Sequence, residues 1–178
     1  VHIHEGDIRD AERMGGIMKE HKYTHVFHLA SQSDTWRAAQ IPRETIETNA
    51  FGTLNILEAM RQHSENAAFI LGASVRVFHY TPHAGQAKDG GAIHLYDAGK
   101  AMAEMITAGY FHTYGMKGAI ARNTNLYGEN DLNFFRLIPN IMKGIFTQHK
   151  ISLWGNGLVK RDFMHVSDAV KGMAALAQ

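Results

Sequence analysis

The sequence predicts an α/β fold, a doubly wound parallel sheet, and two observations carry that prediction. Short buried apolar runs alternate with longer stretches of helical spacing, and polar residues of catalytic type follow directly on the ends of the runs. Strands separated by helices are joined by crossovers, and crossovers build parallel sheets. In open sheets of this kind ligands bind beyond the carboxyl ends of the strands. The strand-end segments Asp7, Ser31 to Ser33, Ser74 and Asn123 to Tyr127 therefore share one edge of the predicted sheet.

Taken in order, residues 1–8 read as extended and close on the turn pair Gly6-Asp7, and residues 11–21 have helical spacing. Residues 24–30 (THVFHLA) read as a buried strand, because a β-branched and aromatic run stops at small polar residues. A long helical pattern starts near Pro42 and puts Leu54, Leu57 and Met60 on one face. Residues 67–73 (AAFILGA) form a second buried strand. Residues 79–95, rich in His, Gly and Lys without periodicity, read as a loop. Residues 96–114 are helical, 117–126 a strand, 134–146 a helix and 150–154 a short strand. Residues 167–177 make a last helix, with Ser167 as N-cap and Asp168 in its first turn.

The 178 residues suffice for one domain with a sizeable core, and 45% hydrophobic with 20% charged residues is an ordinary globular composition. A formal charge of +1 gives no ground for a nucleic-acid or membrane surface. Cysteine is absent, which excludes disulfides and thiolate metal sites. The opening residues Val1-His-Ile-His-Glu-Gly-Asp contain no signal segment and no initiator methionine, so a cytoplasmic fragment is expected. Twelve histidines raise the question of a metal. His2 and His4 share a strand face and His79, His83 and His94 share a loop, but no helical H-x-x-x-H completes a set, and no metal is expected.

The chemistry rests on three residues. Tyr96 and Lys100 lie four apart and share a helix face, and Ser74 ends the preceding strand. Together they suit hydride chemistry at a secondary alcohol. A free phenol has a pKa near ~10, and the Lys100 ammonium and a positively charged nicotinamide both favour the phenolate that a base requires. Ser74 is placed to hydrogen-bond the reacting oxygen.

At these residues the sequence resembles the extended short-chain dehydrogenases/reductases, specifically the NAD-dependent epimerase/dehydratase group acting on nucleotide sugars. Gly6-Asp7-Ile8-Arg9-Asp10 is similar to the end of the family's third strand, which implies adenine contacts from Asp7 and Ile8. His28-Leu29-Ala30-Ser31-Gln32-Ser33 resembles H-L-A-A-Q-S, which lies beside the dinucleotide and implies contacts from Leu29, Ala30, Ser31 and Ser33. Thr48-Asn49-Ala50-Phe51-Gly52-Thr53 resembles T-N-x-x-G-T, whose Asn, here Asn49, approaches the cofactor. RNTNLYG, residues 122–128, resembles R-x-x-N-x-Y-G and implies a cofactor contact at Thr124 and a substrate contact at Asn125. NDLNFFRLIP, residues 130–139, and Arg161-Asp162-Phe163 resemble the segments that hold the nucleotide, which assigns Arg136, Leu137 and Arg161 to the substrate.

The resemblance implies a Rossmann-like sheet lacking its first βαβ unit, an N-terminally truncated member of the family. Residues 1–128 are then a partial NAD(P)-binding domain and 129–178 a partial nucleotide-sugar-binding region. It also implies NAD or NADP as cofactor, a nucleoside-diphosphate sugar as substrate, and a homodimer through two helices per subunit. The family's opening G-x-x-G-x-x-G is not among these residues, so NAD binding by this chain alone is expected to be weak. Val75 and Arg76 stand where 4,6-dehydratases of the group carry an acid, which favours epimerase-like chemistry. GDIRD and NLYGENDLN, on the other hand, are closest to CDP-glucose-type dehydratases. Gly99 replaces the Ser of Y-x-x-S-K and is expected to loosen the Tyr96 to Lys100 register at a cost of roughly 1 kcal/mol relative to Ala. A catalytically inactive remnant that binds nucleotide or dimerises is the alternative reading.

Overall fold

The computed structural model describes residues 2–79, 94–148, 150–151, 153, 157–158 and 160–178. The chain divides into two compact units, residues 1–122 with 175–178, and residues 123–174.

In the first unit, helix α1 (Ala11–Glu20) begins where the Asp10 carboxylate accepts the Arg13 N–H, an ordinary N-cap bond. Strand β1 (His25–His28) follows, then the short α2 (Thr35–Gln40), capped in the same way by Asp34. Helix α3 (Pro42–Ile46) starts on a proline, whose missing N–H costs nothing at a first turn. It runs through a π-helical turn, Glu47–Phe51, into α4 (Gly52–His63), so the long helical pattern read after Pro42 is present with its middle widened. Strand β2 (Ala68–Ser74) leads into a 3-10 turn, Val75–His79. Helix α5 (Leu95–Tyr114) is followed by Gly115 in the left-handed conformation, the usual helix stop, and then by β3 (Gly118–Asn123).

The sheet order is β1-β2-β3, and β1 and β2 pair in parallel with His25 opposite Ala68 and His28 opposite Leu71. This is the parallel α/β class the alternation predicts. The core lies between this sheet and helices α1, α4 and α5. Met14 and Met18 from α1, Ile56, Leu57 and Met60 from α4, and Phe69 and Leu71 from β2 form one cluster. Phe69, Leu57 and Met60 are fully buried, each stabilising the fold by roughly 1.5–3 kcal/mol. Every residue of β2 after the first is buried, as expected of a central strand covered on both faces.

The second unit holds β4 (Asn125–Tyr127), α6 (Leu137–Thr147), β5 (Phe163–His165) and most of α7 (Val166–Leu176). Strands β4 and β5 pair in parallel, with Asn125 opposite Phe163 and Tyr127 opposite His165.

Several expectations need correction. Residues 2–6 form no strand; the Glu5 carbonyl accepts from the Arg13 side chain instead. The run 117–126 is two strands in two sheets, and α2 and β5 were not anticipated. The loop expected at 79–95 falls mostly, and the strand expected at 150–154 partly, outside the described residues. Among the described residues no helix is long and apolar enough to cross a membrane.

Candidate active site and cofactor cleft

Ser74 is the last residue of β2, and the 3-10 turn that follows directs the Arg76 N–H to its Oγ at 3.3 Å. Tyr96 is the second residue of α5, and Lys100 stands one turn further on. Lys100 is buried, and its ammonium donates to the Gly72 carbonyl at 2.9 Å and to the Ser31 Oγ at 3.0 Å. It thus ties the helix carrying Tyr96 to the strand carrying Ser74 and to the polar segment after β1. Burial lowers the Lys100 pKa to about 8, so the side chain stays largely cationic at neutral pH.

Sequence reasoning missed the clamp beside these residues. The Arg76 guanidinium grips the Asp97 carboxylate through two hydrogen bonds, of 2.5 and 2.8 Å, and Asp97 is only 3% exposed. This fork-to-fork pair joins the turn after Ser74 to the residue after Tyr96. A second pair, Glu104 with Arg122, fastens the middle of α5 to the end of β3.

Helix α5 runs unbroken through Gly99, and a Cβ placed there would meet the Asn49 Cβ at 3.2 Å and its Nδ2 at 3.3 Å. The glycine lets α5 close tightly on the π-helical turn that carries Asn49. That turn presents the Asn49 side chain to the Gln32 backbone, accepting its N–H at 2.8 Å and donating to its carbonyl at 3.0 Å. π-turns of this kind concentrate at functional sites.

An open cleft of about 540 Å³ gathers five of the residues named from the sequence as cofactor contacts: Asp7, Ile8, Ala30, Ser31 and Ser33. Its size suits a nucleotide-sized ligand. Asn49 underlies it through Gln32. Leu29 is 62% exposed and lies against Gly72 without lining the cleft. Arg9 was not singled out from the sequence, though it stands two residues after Asp7. Its guanidinium and N–H bond the Asp7 carboxylate and hold that group's pKa down to about 2, so the rim carries a paired anion and cation.

Below this cleft lies a buried relay. The Thr53 hydroxyl donates to the Asn49 carbonyl at 2.6 Å, which leaves its oxygen to accept from the His28 Nε2 at 3.0 Å and puts the imidazole proton on Nε2. Burial, reinforced by the charge of Lys100, lowers the His28 pKa to about 4. A histidine that stays neutral when folded but protonates when unfolded contributes fully above pH 6.5 and loses that contribution as pH falls toward 4. Between pH 6.5 and 5 the loss expected from this group is about 2 kcal/mol. Urea denaturation at several pH values should show that dependence in the wild type and a flatter one in His28→Asn. Equal acid sensitivity of the two would refute it.

In the second unit, Thr124 Oγ1 and Asn125 Nδ2 both donate to the Asp162 carbonyl, at 2.8 and 3.0 Å, and so fasten β4 to the segment entering β5. Arg136 pairs with Asp131 at 3.3 Å and Leu137 opens α6. Arg161 is exposed and donates to the Lys160 carbonyl. A cleft of about 520 Å³ is lined by Phe134, Phe135, Asn140 and Lys143, with the Lys143 ammonium 4.9 Å from the Phe134 ring centre. Arg136 and Leu137 interrupt that lining in sequence without joining it.

A parallel α/β sheet with a nucleotide-sized cleft beyond β1 defines the class, a Rossmann-type fold. A solved UDP-glucose 4-epimerase from Thermotoga maritima, with UDP-glucose, shares it at a TM-score of 0.84 and 25% identity over 96% of this chain and 57% of that one. A dTDP-glucose 4,6-dehydratase from Bacillus anthracis in complex with NAD shares the fold at 0.80, covering 98% and 54%. The NAD dependent epimerase/dehydratase family matches residues 1–178, and the chain belongs to it. Among curated relatives, UDP-glucuronate 4-epimerase 4 of Arabidopsis thaliana is 31% identical over 98% of this chain and 41% of its own length. A dTDP-glucose 4,6-dehydratase of Mycobacterium tuberculosis is 29% identical over 94% and 51%. The chain thus spans about half the length of the curated relatives it matches.

Proposed function

We propose that this chain supplies the catalytic residues and part of the cofactor cleft of an NAD(P)-dependent nucleotide-sugar epimerase. The observation that carries this reading is Lys100, whose two hydrogen bonds join the Tyr96 helix, the Ser74 strand and the Ser31 rim of the cleft in one arrangement. The donor set of that cleft, with hydroxyls at Ser31 and Ser33 and a carboxylate at Asp7, fits the ribose and adenine of a dinucleotide. A bound NAD(P) would supply the hydride acceptor, and then the hydride donor, for a sugar carbon. Tyr96 accepts the hydroxyl proton as the C–H bond breaks and gives it back when the ketone is reduced. Ser74 holds the sugar oxygen, and Lys100 supplies positive charge beside the phenol and a donor toward the ribose. Return of hydride to the other face inverts the carbon.

Epimerisation is preferred over dehydration because elimination of water needs an acid after Ser74. Val75 and Arg76 stand there, and the nearby Asp97 is buried and held by Arg76. Substrate recognition falls to residues 129–178, with residues 1–128 as the cofactor half. The Phe134 and Lys143 cleft is suited to a base and a phosphate, and Arg161 to a diphosphate. UDP-hexoses are the first substrates to try, given the relatives. A homodimer forms through α4 and α5, where Met102 and Met105 are exposed.

Calorimetry separates the parts of this reading. NAD is expected to bind weakly or not at all to these 178 residues, and tightly once a glycine-rich βαβ unit precedes Val1. Equal affinity in both would show that the glycine loop is dispensable, and no binding in either would overturn the assignment of the cleft.

A further inference from the structure

At the opposite end of α1 from its Asp10 cap, three histidines and a carboxylate converge, and the proposed reaction uses none of them. Glu20 is the last residue of α1 and His21 its C-cap. His4 arrives from the segment ahead of the helix. Its Nδ1 lies 3.9 Å from one Glu20 oxygen, and His21 Nε2 lies 3.8 Å from the other. One ligand atom from each of the three residues falls within 4.8 Å of the others. His4 Nε2 and His21 Nε2 are both shielded from solvent, and neither makes a hydrogen bond. The His2 ring stacks on His21 at 5.3 Å, and Tyr23 meets His21 edge-on at 5.8 Å, which fixes the orientation of that ring.

Shielded imidazole nitrogens without partners are costly, and native proteins leave few of them. A cation held by His21 Nε2, a Glu20 oxygen and one nitrogen of His4 would give the bare His21 nitrogen a partner. Donors about 2.0–2.2 Å from a tetrahedral ion stand roughly 3.4 Å apart, so donors now within 4.8 Å of one another need draw together by no more than about 1.4 Å. Two imidazoles and a carboxylate, with no thiolate in the chain, select a borderline first-row ion over calcium or magnesium. Water is available for the fourth position.

We propose that His4, Glu20 and His21 form a binding site for a divalent first-row transition cation of the zinc class. The site staples the segment before α1 to the end of that helix. It reverses the expectation from the sequence, in which His4 had only His2 for company because His21 is brought to it by the fold.

The test is a Zn²⁺ titration by calorimetry on the untagged chain, with Co²⁺ absorption as a reporter of tetrahedral nitrogen and oxygen ligation. One equivalent is expected to bind, with affinity at least about tenfold lower in His4→Gln and in His21→Ala, a loss that even outer partners of a bound metal produce. His112→Ala, on the exposed end of α5, is expected to bind as the wild type does. Far-UV circular dichroism checks the fold of each variant, and if His21→Ala fails to fold, His4→Gln decides alone. Absence of stoichiometric binding overturns the proposal, as does affinity unchanged in His4→Gln or equally reduced in His112→Ala.

Discussion

Replacing Tyr96 by phenylalanine is expected to lower nucleotide-sugar turnover about a thousandfold, the usual weight of a positioned acid-base group. The measurement needs a chain with a glycine-rich βαβ unit ahead of Val1. The substitution removes one oxygen and keeps the ring, so the packing of α5 is preserved. Tyr96 opens that helix, where unsatisfied N–H groups concentrate positive potential, and Lys100 adds an ammonium one turn on. Lys100 keeps its own partners, the Gly72 carbonyl and the Ser31 hydroxyl, in the variant. NAD affinity should therefore stay near the wild-type value while kcat collapses. Unchanged turnover would remove Tyr96 from the chemistry, and a parallel loss of NAD affinity would give it a binding role instead.

The second large effect concerns stability. Gly118→Ala is expected to cost about 3 kcal/mol, the upper end of what overpacking does. Strand β3 enters the sheet at Gly118 with φ of 158°, directly after the Lys117 carbonyl accepts the Phe69 N–H at 2.9 Å. A Cβ at this position would lie 2.0 Å from the Phe69 carbonyl oxygen and 2.7 Å from the Phe111 ring. The first obstacle is backbone of the central strand and cannot swing aside. Either β3 withdraws from β2 or Phe69, fully buried at the heart of the core, moves with it. Thermal unfolding should fall by roughly 6–12 °C for a chain of this size. A melting temperature within a degree of the wild type would mean that the close approach of β3 to β2 is misplaced.

Legibility in the sequence followed the range of the forces involved. β1, β2 and α5 announce themselves because each carries its own pattern, an apolar run or a repeat on one helix face. Ser74, Tyr96 and Lys100 could be named because their spacing within those elements is local. β5 could not be found, since Phe163–His165 is three residues long and is a strand only through its pairing with β4. Nor could the break at Thr124, which depends on the distant Asp162 carbonyl. α2 has an N-cap at Asp34 but buries only Ala38, so it shows no periodicity. The π-turn at Glu47–Phe51 hides inside an otherwise regular helical pattern. Asp97 and Arg76, 21 positions apart, gave no mutual signal at all. The close neighbour of Gly99, Asn49, comes from another element and so leaves no trace in local helix propensity.

The Arg76–Asp97 pair has a consequence for how the arrangement around Ser74 and Tyr96 can come apart. By bridging the turn after Ser74 and the first turn of α5, it makes displacement of either one a displacement of both. Ser74 and Tyr96, which stand beside the two ends of the pair, thus move as one piece for as long as the clamp is closed.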